Sequence, residues 1–164
     1  MQSPDNQFRI SRINIFLFDF RQALAFADYI LKKRLHYVKT PTAKAKLVHL
    51  AFNTSLIVSY ARPFHKSNEP GGLPRVSLSL DNAMLNEVEN AVHQKVIAMR
   101  DQAFAHSDAL SHEIEAVDYG GSKVKVYKSA FNPLTIKDTR LLRHIVLKWI
   151  GHLEALRVAA KQQQ

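Results

Sequence analysis

Apolar residues at Ile10, Ile13, Leu17, Phe20, Leu24, Ala27, Leu31 and Leu35 follow one another by steps that mostly alternate between three and four. That spacing puts them all on one face of a single long α-helix. Leu47, Ala51, Thr54, Ile57, Ala61 and Phe64 repeat the pattern, as do Met84, Leu85, Val88, Val92, Val96, Met99 and Ala103. A fourth stripe runs through Leu142, Ile145, Val146, Trp149, Ile150, Leu153 and Leu156. A helix with one apolar stripe has to bury it against other helices. Four such helices predict an all-α fold, a four-helix up-and-down bundle.

The breaks between stripes carry turn chemistry. Thr40 and Pro41 supply an N-cap and a first-turn proline for the second helix, and Pro63 ends or kinks it. The run SNEPGGLP, residues 67–74, reads as a loop, with Asp81 or Asn82 as the next cap. After Ser111 the period changes: Val124 and Val126 alternate with Lys123 and Lys125 beyond Gly120-Gly121. This predicts a small β-hairpin before the last helix. No repeat or linker divides the 164 residues, so 1–164 is expected to be a single domain.

The chain has no cysteine, which rules out disulfides and thiolate chemistry and suits a reducing compartment. The N-terminal MQSPDNQFRI lacks a signal pattern, and the uncharged segment 47–61 is interrupted by His49, Asn53, Thr54, Ser55 and Ser59. A cytoplasmic protein with no membrane association is expected. The formal charge of +9 favours a polyanionic partner, although the basic residues are scattered along the chain, from Lys32, Lys33 and Arg34 through Lys44 and Lys46 to Arg140.

Eight histidines raise the question of a metal, but no pair has His-Glu-x-x-His spacing and His106 and His112 lie six apart without clustered carboxylates. No metal and no cofactor are expected. Gly71-Gly72 and Gly120-Gly121 lack the spacing of a phosphate loop, and no serine occupies a Gly-x-Ser-x-Gly elbow. Arg62, at the end of the second stripe beside Tyr60, is a candidate substrate-binding cation, with helix-end snorkelling as the structural alternative.

The stretch RDQAFAHSD, residues 100–108, ends the third stripe. An arginine, then an acidic or amide residue or histidine, then a histidine four to six residues after the arginine, at the end of a bundle's third helix, resembles the HEPN superfamily of ribonucleases and toxins. The matching positions are Arg100, Asp101 and His106. The resemblance implies a metal-independent endoribonuclease of toxin or defence type, acting on RNA as a homodimer with two such motifs facing each other. It also implies control by an antitoxin or a nucleotidyltransferase partner protein. Members silenced by adenylylation carry a tyrosine two residues after the histidine, where this chain has Asp108, which argues against that mode of control. The alternative is a non-catalytic helical-bundle module that binds a protein partner or nucleic acid, in which Arg100 is an exposed helical cation and His106 meets the helix dipole.

Two structural expectations complete the reading. Phe20, Leu24, Ile57, Val92, Val96, Leu142, Ile145 and Trp149 should be largely buried. Phe8, Ile15, Phe18, Phe26 and Ile30 exceed a single stripe on the first helix, and such a surplus needs cover, for example from a second copy.

Overall fold

The computed structural model describes residues 4–37, 42–64, 84–104, 113–119, 122–128 and 132–162. It has four long helices: α1 (Pro4–Lys32), α2 (Ala43–Ala61), α3 (Glu87–Phe104) and α4 (Ile136–Gln162). Between α3 and α4 the backbone forms strands β1 (Glu113–Tyr119) and β2 (Ser122–Lys128), paired antiparallel with Val117 opposite Val124. Gly120 and Gly121, where the turn is expected, lie outside the described residues.

Contacts between side chains fix the helix directions. On α1 and α4, Asn6 meets Ala160, Arg21 meets Glu154 and Asp28 meets Arg143, so the two run antiparallel. On α1 and α2, Gln22 meets Ser59 and Tyr29 stacks on Phe52, again antiparallel. Glu89 pairs with Lys148 and Lys95 with Asp138, which makes α3 antiparallel to α4. The four helices therefore run up, down, up and down around one core.

That core is the shared property of the stripes. Phe20, Ile57, Val96, Leu142 and Ile145 have no exposed surface, and Trp149 is 1% exposed. Trp149 stacks on Phe20 with ring centroids 6.1 Å apart, and Phe64 meets both edge-on. Truncating Trp149 to alanine would cost about 3–5 kcal/mol. Leu24 is only partly buried, and Ala23 and Ile30 take inner positions on α1 instead. On α1, Ile13, Leu17, Phe20, Ala23, Ala27 and Ile30 are buried and follow one another by steps of three and four, so they share one helix face.

The starts of the helices differ from the sequence expectation. Helix α2 begins at Ala43, where the Thr42 side chain accepts a hydrogen bond from the Ala45 N–H at 3.2 Å; Thr40 and Pro41 lie outside the described residues. Helix α3 begins at Glu87 behind a reciprocal cap: the Glu89 N–H donates to Asn86 Oδ1, and the Asn86 N–H donates to Glu89 Oε2, both at 2.9 Å. Met84 and Leu85 precede that helix, and Leu85 is buried without being part of it. Asp81 and Asn82 lie outside the described residues. Thr135 caps α4 by accepting the Asp138 N–H on its hydroxyl. As Pro63 requires, α2 gives way at Ala61 to a 3-10 turn over Arg62–Phe64.

Candidate functional site

The buried face of α3 runs through Val92, His93 and Val96, and Arg100 continues it four residues further on. Its side chain is consequently 27% exposed rather than projecting fully into water, and its Nη1 donates to Asp101 Oδ1 at 3.0 Å. Neighbouring helical residues point about 100° apart, so this pair forms only because the long arginine reaches around the helix. The carboxylate, itself 55% exposed, meets the guanidinium at the end of the helix. His106 lies outside the described residues.

Arg62 is placed elsewhere. Its Nη1 donates to Asp19 Oδ1 at 3.2 Å and to Gln22 Oε1 at 3.4 Å. Burial raises the Asp19 carboxyl above its ordinary range, against the opposing hydrogen bond and charge of Arg62. Tyr60 lies level with His93, two residues before Arg62 and seven before Arg100 on antiparallel helices. At 1.5 Å of rise per residue, Arg62 and Arg100 are roughly 13 Å apart along the axis. Within one subunit the two cations do not converge.

The antiparallel topology gathers bases that are dispersed in sequence. The end of α1, the start of α2, the end of α3 and the start of α4 share one end of the bundle, where Lys33, Arg34, Lys44, Lys46, Lys137 and Arg140 are exposed. Among the described helical residues at that end, the acids Asp101 and Asp138 are already paired, with Arg100 and Lys95. The end that carries Arg100 is therefore strongly positive, a setting in which phosphate is attracted and held.

Two polar clusters lie within the bundle, one buried and one partly buried. In the middle of the core, the Tyr60 hydroxyl and His93 Nδ1 share a hydrogen bond at 2.7 Å, with Phe64 edge-on to the imidazole at 4.7 Å. Burial lowers the His93 pKa to about 4 and pushes the Tyr60 hydroxyl up, so both are neutral near pH 7. One turn before His93, Glu89 is held ionised: burial alone would raise it, but Lys148, the Asn86 N–H and the His144 charge outweigh burial and keep it low. At the positive end, His36 Nε2 donates to the Leu134 carbonyl at 3.0 Å and lies 3.2 Å from Thr139 Oγ1. His49 meets the His36 ring edge-on. Burial lowers the pKa of both imidazoles; at His36 the Leu134 hydrogen bond opposes it and the Arg140 charge adds to it, and at His49 the neighbouring His36 adds to it.

Among the described residues, no group of three or more His, Asp or Glu side chains is arranged to hold a metal ion, and no helix is long and apolar enough to cross a membrane. No family model matches this chain, and neither does any curated protein or solved structure.

Proposed function

We propose that the protein is a metal-independent endoribonuclease of toxin or defence type, in which Arg100, Asp101 and His106 act on RNA. The observation that carries this reading is the setting of Arg100. It is half-sheltered at the end of α3, oriented by Asp101, and surrounded by a basic bundle end rather than standing as an isolated solvated cation.

The chemistry follows from the residue types. His106 takes the proton from an RNA 2′-hydroxyl or delivers one to the leaving 5′-oxygen, a role for which imidazole is the side chain best suited at physiological pH. The 2′-oxygen bonds to phosphorus as the bond from phosphorus to the 5′-oxygen breaks. Arg100 holds the phosphate and stabilises the charge gathering on its oxygens, while Asp101 keeps the guanidinium in place. The products are a 2′,3′-cyclic phosphate and a 5′-hydroxyl, and no metal is needed because the nucleophile belongs to the RNA. The working unit is a homodimer with two motifs across one basic cleft, formed in the cytoplasm and held in check by an antitoxin-like partner protein.

The test is incubation of the purified protein with mixed RNA in EDTA, alongside Arg100→Ala and His106→Ala. The wild type should cut, and His106→Ala should lose about 10²- to 10⁴-fold in rate. If both variants cut as fast as the wild type, the 100–108 stretch is only a helix terminus. If a folded wild type cuts nothing, the protein is instead a helical-bundle binding module.

A further inference from the structure

A pocket of about 480 Å³ lies between the end of α1 and the start of α4, lined by Leu31, Arg34, Tyr37, Ile136 and Arg140. Its size falls within the roughly 300–1,000 Å³ of small-molecule sites. The way the chain builds it is specific. After α1, Arg34 adopts a left-handed backbone with φ of 51°, a conformation usually left to glycine or asparagine at a helix end. Leu35, His36 and Tyr37 then form one 3-10 turn closed by the Tyr37 N–H donating to the Arg34 carbonyl at 2.9 Å.

Leu35 packs on the core and His36 is pinned to the Leu134 carbonyl, which turns the middle of this segment inward. In a 3-10 turn, residues three apart lie over one another, so Arg34 and Tyr37 are left together on the outer side. Arg140 joins them from α4, one turn after Ile136 on the same helix face. It is near enough for its charge to reach His36. Among the described residues, neither Arg34 nor Arg140 has a carboxylate partner, and no acidic side chain lines the pocket. The positive end of α4 adds to the field.

Two unneutralised guanidiniums, an aromatic ring 60% exposed and a small apolar floor from Leu31 and Ile136 match one kind of ligand. We propose that this pocket binds a nucleotide, with its phosphate between Arg34 and Arg140 and its base against Tyr37. Guanidinium pairs suit phosphate oxygens geometrically, and an exposed ring is a stacking surface for any base. The nucleotide can be free or part of a single-stranded RNA. The site does not depend on RNA cleavage, and 2′-O-methyl RNA, which cannot be cut through its 2′-oxygen, separates the two.

The experiment is calorimetric titration of the full chain with 5′-AMP, adenosine, a 2′-O-methyl hexanucleotide and a hexaglutamate peptide. Wild type should bind 5′-AMP or the hexanucleotide, and adenosine at least tenfold more weakly than 5′-AMP. Saturation by 5′-AMP alone assigns the pocket to free nucleotides; tighter binding of the hexanucleotide, weakening with salt, assigns it to RNA. Arg140→Gln should weaken the bound ligand tenfold or more, and Tyr37→Ala severalfold. Arg34→Gly relieves the left-handed backbone, so its loss of binding should come without loss of thermal stability. Lys161→Gln, at the far end of α4, removes the same charge and should change binding less than twofold. The proposal is overturned if neither nucleotide ligand binds, if Arg140→Gln binds as well as wild type, or if Lys161→Gln loses as much. Binding of hexaglutamate in place of the nucleotides would give the pocket to an acidic protein and equally overturn it.

Discussion

At the scale of single residues, one buried and two partly buried histidines set how the fold responds to acid. His36, His49 and His93 have pKa values below that of a free imidazole, each chiefly through burial, and His93 is brought to about 4. The unfolded chain then binds these protons first, near pH 6.5, and stability falls as pH drops from there toward the folded values. For His93 the loss amounts to about 3 kcal/mol once both states are protonated. Glu89 does not contribute to that window, because a carboxyl held low in the fold destabilises only below its unfolded value of 4.5. Asp19, raised in the fold, acts in the opposite sense. Urea unfolding between pH 7 and 4.5 should therefore show steadily falling stability, and His93→Gln, which keeps a hydrogen-bonding group beside the Tyr60 hydroxyl, should flatten the slope. A slope unchanged in that variant would place the acid sensitivity elsewhere.

At the scale of elements, α3 depends on its first turn and on one buried carboxylate. Asn86→Ala removes the cap that receives the Glu89 N–H and should cost about 1 kcal/mol, read from the denaturation midpoint. Lys148→Ala leaves Glu89, 2% exposed, without its main counter-charge and should cost more, about 3 kcal/mol, the low end for a buried pair because Lys148 is itself partly exposed. If the two variants proved equally mild, Glu89 would not be the strained group its burial makes it. These same residues show what could be read from the sequence. The stripes were legible because an apolar face at helical spacing leaves few alternatives, and seven of the eight expected core residues are buried. The starts of α2 and α3 were not: Thr40 ahead of Pro41 has the look of a cap, yet it is Thr42 that caps α2. The Asn86-x-x-Glu89 box was masked by Met84 and Leu85, which extend the stripe into a segment that is not helical. The shift from Leu24 to Ala23 and Ile30 depends on where the partner helices sit and not on α1 alone. The Arg100–Asp101 pair was visible as a motif, but its half-shelter was not, since that depends on where α3 sits in the bundle.

At the scale of the whole molecule, an alternating topology turns dispersed bases into one positive end, and the proposed activity uses that end. It also leaves Ile15 and Phe18 on the outside of α1, 52% and 65% exposed, whereas Ile30 is absorbed by the core and Phe26 packs on Phe52. A homodimer at micromolar concentration is the expected assembly, and sedimentation that finds only monomer would remove the paired motif. The most direct measurement is the chemistry of the RNA ends left by the purified protein in EDTA, determined by mass spectrometry. The proposed activity requires 2′,3′-cyclic phosphate and 5′-hydroxyl termini from wild type, and intact RNA from folded His106→Ala. Intact RNA with the wild type, or termini bearing 3′-hydroxyl and 5′-phosphate, would contradict it.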